Sequence, residues 1–279
     1  MDSNQESQIV IPKYDPGDWY EFFPMVIGTS LGLLIVAPLF KFPLIWSGLL
    51  IGVILGLVIL YFVAVFLLTY KDQKALLASI KCHDLDGADD LITKMESTFG
   101  LPKFQYLCAR INRGVILIYR KRFVEALAIF EGNLKFAQMS RIRVLLLCNC
   151  AECYLLQGKT VEAAAFLNAA RKIKYNPMVI VIDVMLHLRQ ELYPDALRLL
   201  EQNWQKLAGA PHAEINMKHA WLFRALALER ADANQRTDEI RDLLGGARPF
   251  VPGEYDFLGA EWPEMKEFLL RHEFTDAAA

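Results

Sequence analysis

Apolar and polar positions divide the chain into two unlike parts that meet near residue 70. From Phe22 to Tyr70 apolar residues run almost without interruption, and Lys41 is the one charged residue before Lys71. From Lys71 onward apolar residues recur at three- and four-residue spacing, in stretches separated by short polar turns. No run alternates in the β manner, so this part is predicted to be helical throughout. The expected fold class is all-α, with two transmembrane helices followed by a solenoid of helical hairpins.

The stretch Leu44 to Thr69 carries no charge over 26 residues. A helix of that length exceeds the roughly 30 Å hydrocarbon core of a bilayer. Phe22 to Phe40 is long enough for another pass, with Pro24 and Pro38 confining regular helix to the interval between them. Only Lys41-Phe42-Pro43 separates the two, which predicts a tight hairpin over residues 22–70 behind a polar tail, 1–21. Asp15, Asp18 and Glu21 precede the first segment where a cleaved signal would carry positive charge. Trp19, Tyr20, Phe22, Phe23 and Trp46 suit the membrane interface. Lys71, Lys74 and Lys81 follow the hairpin against a single Lys41 at its turn, so the expectation is an integral membrane protein with its larger part facing the cytoplasm. Glycines recur every fourth residue, Gly28 and Gly32 in the first segment and Gly48, Gly52 and Gly56 in the second. Such faces let helices approach closely. Packing within the hairpin and a homo-oligomeric or partner-helix contact both fit them.

Beyond residue 70 a unit of thirty to forty residues repeats. Its clearest copy runs from Arg143 to Pro177, with Leu147, Ala151, Tyr154, Gly158, Ala163, Leu167, Ala170 and Pro177 at the marked places. This pattern resembles the tetratricopeptide repeat, with Thr160 where that family usually has an aromatic residue. Gly114, Leu117, Phe123, Ala126 and Phe130 fill comparable places in the unit before, and Val184, His187, Tyr193, Ala196 and Leu200 in the unit after. The motifs Phe123-Val-Glu-Ala126, Thr160-Val-Glu-Ala163 and Tyr193-Pro-Asp-Ala196 mark one recurring point. Fainter pairs, Lys74 to Cys82 with Leu85 to Thr98 and Asn216 to Arg230 with Arg236 to Leu244, complete about five hairpins over residues 71–248. Residues 249–279, rich in Pro, Gly and aromatics up to Asp276, are expected to cap the last hairpin and end in a frayed tail.

The resemblance implies a concave groove lined by the first helix of each pair. Carried over, its residues are Cys108, Ile111, Val115 and Ile118, then Leu145, Cys148, Glu152 and Leu155, then Met178, Val181, Met185 and Leu188. An apolar groove of this kind implies a protein partner, unless the chain's own cap segment closes it. The lysine, arginine and asparagine clamp of chaperone adaptors has no counterpart in it.

Composition narrows the function further. With 30 basic and 32 acidic residues the formal charge is −2, which offers no basic field for nucleic acid. The five cysteines, an odd number on predicted helices, suit a reducing compartment. Cys148 and Cys150 point about 200° apart on a helix, so no metal site is expected there. His187 is read as a hydrogen-bonded core histidine with no acidic partner assigned by spacing. Arg120-Lys121-Arg122 is read as a solvated turn, with contact to anionic lipid or an acidic partner as the alternative, and Lys172 and Lys174 similarly. No phosphate-binding glycine loop, nucleophile elbow or zincin helix occurs. The expectation is a non-enzymatic scaffold without cofactor, in contact with a bilayer and a protein partner. The alternatives are an oligomer-forming or membrane-shaping protein, or an accessory subunit of a transporter or membrane enzyme, acting through the glycine-faced hairpin.

Overall fold

The computed structural model describes residues 71–97, 103–137, 139–209, 213–232 and 236–275, and positions 52, 53, 56 and 60 besides. Within them every regular element is a helix. These are α1 over 71–81, then α2 Leu85–Ser97, α3 Lys103–Tyr119, α4 Phe123–Leu134, α5 Ser140–Leu156 and α6 Thr160–Ile173. They continue as α7 Pro177–Arg189, α8 Tyr193–Ala208, α9 Ala213–Asp232, α10 Thr237–Ala247 and α11 Pro263–Arg271. Among the described residues no helix is long and apolar enough to cross a membrane. The predicted membrane hairpin, with Gly28, Gly32 and Gly48, lies outside them. From its second segment Gly52, Val53, Gly56 and Leu60 are described, all helical and exposed.

Consecutive helices from α2 to α10 pack on one another, and the first helices of successive hairpins, α3, α5, α7 and α9, also pack side by side. This inner row holds the core. α7 buries Val179, Ile180, Val181, Ile182, Val184 and Met185 and has no polar face to turn outward, so it sits at the centre of the stack. Its start is fixed by Asn176, whose side-chain oxygen accepts from the Val179 N–H at 3.0 Å, with Pro177 following at the first helical position. α3 divides its faces. Ala109 and Ile116 join Leu76, Ala88, Ile92 and Met95 in a core with the first hairpin, while Leu107, Ile111, Leu117 and Ile118 join the main core.

The hairpin turns share one backbone form. The first helices α1, α3, α5 and α7 are each followed by a residue of positive φ: His83 at 57°, Lys121 at 62°, Gly158 at 75° and Glu191 at 59°. The next N–H then reaches back to the carbonyl five residues before it, Asp84 to Ser79 at 2.9 Å, Arg122 to Leu117 at 2.8 Å, Lys159 to Tyr154 at 2.9 Å and Leu192 to His187 at 2.9 Å. This closure satisfies the last carbonyls of a helix and turns the chain sharply. Five residues beyond each positive-φ residue stands a buried alanine: Ala88, Ala126, Ala163 and Ala196. Its small side chain lets the second helix approach the first.

The turns place the hairpins antiparallel. Asp72 at the start of α1 pairs with Lys94 at the end of α2 at 2.9 Å. His83, after α1, meets the ring of Tyr119, the last residue of α3, edge-on at 5.4 Å. The stack therefore has two edges. One carries the hairpin turns, and the other carries the N-termini of α1, α3, α5, α7 and α9 with the loops that lead into them.

Candidate functional site

After α10 the chain turns back across the inner row. Tyr255 is fully buried, its hydroxyl donating to the Ala247 carbonyl at 3.2 Å. Phe250 stacks on Phe274 at 4.9 Å, and Tyr255 meets Phe274 edge-on at 5.5 Å, which ties both ends of the C-terminal region together. Phe257 reaches into the face itself. Its ring lies 5.1 Å from Tyr119 of α3 and 6.2 Å from His219 of α9, both edge-on.

Charged contacts flank these rings. Glu254 receives the Lys218 ammonium at 3.0 Å and also accepts from the Val251 N–H at 2.9 Å, so one carboxylate holds the segment to α9 and shapes its turn. Asp256 lies 3.7 Å from Lys121 after α3. Arg189, at the end of α7, donates to the Glu261 carbonyl at 3.3 Å and lies over the Trp262 ring at 5.0 Å. Every one of these partners belongs to a first helix or to the turn that follows it. Residues 250–262 thus lie along the inner row, spanning α3, α7 and α9, and α11 then pairs with the end of α9 through Arg271 and Glu229.

The expected groove residues are largely covered. Ile111, Ile118, Cys148, Leu155, Val181, Met185 and Leu188 are buried, whereas Cys108, Val115, Leu145, Glu152 and Met178 are half-buried. Of the two expectations, an open groove or one closed by the chain's own cap segment, this burial is in keeping with the second. A first helix that packs on two neighbouring hairpins and beneath a cap has no free apolar side, and the repeat pattern alone does not reveal the second and third of these contacts.

Two titratable groups sit at this face without charge. Burial pushes the Glu152 carboxyl up to about 7. Burial also holds His219 down to about 4, with Lys218 acting in the same direction and Glu254 against it. Burial raises the Tyr119 hydroxyl well above its ordinary range, assisted by Glu152 and Glu254. From about pH 4 to 7 both Glu152 and His219 are neutral, which suits an apolar segment lying over them.

Glu152 gives a signed prediction. Between its ordinary pKa of 4.5 and its folded value of about 7, the unfolded chain loses a proton that the folded chain keeps. Stability therefore falls as pH rises through that window. Glu152→Gln is expected to leave thermal melting unchanged near pH 4 and to raise stability by about 1–2 kcal/mol near pH 8, after allowance for its partial exposure. An equal effect at both pH values would show that the carboxyl is not held neutral.

Compared with protein families, curated proteins and solved structures, the chain has no match. The remaining chemistry must be read from its own side chains. Cys148, Cys150 and Cys153 are buried, and burial pushes Cys148 up to about 12 and raises Cys150 and Cys153 well above the ordinary thiol value, so none is a ready thiolate. Among the described residues no group of three or more His, Cys, Asp and Glu side chains is placed to hold a metal ion. His187 does have an acidic partner: Asp183, one turn earlier, whose carboxylate lies 3.3 Å from Nδ1 and whose carbonyl lies 2.8 Å from it. Helical i, i+4 spacing places that pair. Asp183 also pairs with Arg171, which accounts for a buried aspartate in the middle of α7. The Arg120-Lys121-Arg122 run is taken up by carboxylates. Arg120 binds Asp86 and Asp89, Lys121 binds Asp256, and Arg122 binds Glu125.

Proposed function

We propose that this chain is a membrane-anchored helical-repeat scaffold that holds a segment of a partner protein on the face formed by α3, α5, α7 and α9. The observation that carries this reading is that the face already holds a stretch of polypeptide. Residues 250–262 lie on it through an aromatic finger at Phe257, acidic contacts at Glu254 and Asp256, and a tryptophan at Trp262. Stacked helical hairpins commonly use this face for extended or helical segments. The resemblance of the repeated turns and alanines to tetratricopeptide repeats supports the same role, and the uncharged stretch from Leu44 to Thr69 supports the anchor. The chain's own segment occupies the place until a partner displaces it, and an aromatic and acidic sequence is the kind of segment the face accepts.

The test is photocrosslinking from position 152 in native membranes, in the natural chain and in a Phe257→Ala background. The expected result is an adduct with a separate protein that strengthens when Phe257 is removed. Adducts confined to residues 250–262 of the same chain in both backgrounds would overturn the proposal.

A further inference from the structure

The edge of the stack opposite the hairpin turns has a chemistry of its own. Its loops expose apolar side chains: Phe136 is 49% exposed, Met139 55%, and Ile173 and Tyr175 each 37%. Lys135, Arg141, Lys172 and Lys174 stand among them, all exposed. Among the described residues none of these four pairs with a carboxylate, in contrast to the Arg120-Lys121-Arg122 turn on the opposite edge. No acidic residue occurs from 132 to 151 or from 163 to 182, so the positive charge here is uncompensated in sequence as well. Lys135 lies over the Phe136 ring at 4.8 Å, an arrangement of aromatic body and cationic tip that suits a boundary between oil and water.

The chain's course fixes what this edge faces. The described part of α1 opens at residue 71, two positions after the uncharged stretch that ends at Thr69, and its Asp72 is held beside Lys94 at the end of α2. The N-terminus of α1 therefore lies on the same edge as the N-termini of α5 and α7, into which the 135–139 and 174–176 loops lead. Any anchor preceding α1 delivers this edge to the bilayer. We propose that the edge formed by the 135–141 and 172–175 segments rests on the surface of an anionic phospholipid bilayer. The lysines and arginine meet lipid phosphates and carboxylates, and Phe136, Met139, Ile173 and Tyr175 enter the interfacial layer. The hairpin turns and the Phe257 end of the inner row then point away from the membrane. This orientation rests on the membrane-anchored reading above, although the edge's own chemistry does not.

Hydrogen exchange on the full chain in lipid nanodiscs tests it. The amides of Met139, Tyr175 and Asn176 lie in loops, and those of residues 140–142 begin a helix without intrahelical partners, so these exchange readily unless covered. In discs containing roughly 30% phosphatidylserine these segments are expected to exchange about fivefold or more slowly than in phosphatidylcholine discs, on the scale of one basic residue's attraction to the surface. The hairpin-turn segment 82–86 serves as the unaffected control. The combined variant K135E, R141E, K172E and K174E is expected to abolish the lipid dependence. Equal exchange in both lipids would overturn the proposal. Should the chain not remain in discs, the anchor reading fails instead, and sedimentation with phosphatidylserine vesicles reads the edge alone. Salt-sensitive binding lost in the fourfold variant upholds it, and absence of binding overturns it.

Discussion

Phe257→Ala is expected to loosen the C-terminal segment on the inner row while the hairpins stay folded. Phe257 is 2% exposed, and its ring is the part of the segment that lies against both α3 and α9. Truncating a buried phenylalanine costs about 3–5 kcal/mol, more than the ion pairs at Lys218 and Lys121 return at ~1 kcal/mol or less each, so the segment is left to the buried Tyr255, Leu258 and Trp262 and opens more often. Limited proteolysis is the direct measure. New cleavage within 250–262, with helical circular dichroism nearly unchanged, is the expected outcome. Loss of the whole helical signal in one transition would mean that the segment is an integral wall of the stack.

Gly114→Ala is expected to cost about 1–3 kcal/mol, by overpacking at the crossing of α3 and α4. A Cβ at Gly114 would lie 2.4 Å from Cε1 and 2.5 Å from Cζ of Phe130, whose ring is fully buried and has nowhere to swing. Thirty-seven residues on, from 114 to 151 and from 130 to 167, the chain carries Ala151 and Leu167, both buried. The two hairpins thus reach the same closeness with the volume moved from one side of the contact to the other. Combining Gly114→Ala with Phe130→Leu is expected to recover most of the loss, so that urea melts give a double variant more stable than the sum of the singles predicts. Strict additivity would show that the two positions do not share one packing site.

The hairpin pattern was legible where side chains carry it. Ala126, Ala163 and Ala196 stand out in the sequence because a close helix crossing requires a small residue, and all three are buried. Ala88 escaped notice since Leu85-Asp86-Gly87 before it lacks the aromatic or Val-Glu signature of the later copies, yet it occupies the same place. The turns were legible only at Gly158. His83, Lys121 and Glu191 adopt the same positive φ without glycine, and a left-handed residue that is not glycine leaves no compositional mark.

The inner face was legible in its residues and not in its occupancy. Periodicity places Val181, Met185 and Leu188 on one side of α7, but the coverage of the row depends on contacts far apart in sequence. Tyr119 with Phe257 and Lys218 with Glu254 are separated by 138 and 36 residues, differences of 257 from 119 and 254 from 218. Neither contact has a local signal. The Pro, Gly and aromatic content of residues 249–276 suggested a cap over the last hairpin, and only the fold tells that residues 250–262 run along the inner row.

The central claim is that residues 250–262 are an exchangeable occupant of the inner row. Native-state hydrogen exchange under increasing mild denaturant measures this most directly, through the opening free energy of the 250–262 amides relative to those of α5. The segment is expected to open first, at a free energy lower than that of α5 by several kcal/mol, with little denaturant dependence. Merging of both sets of amides into one global opening would contradict it.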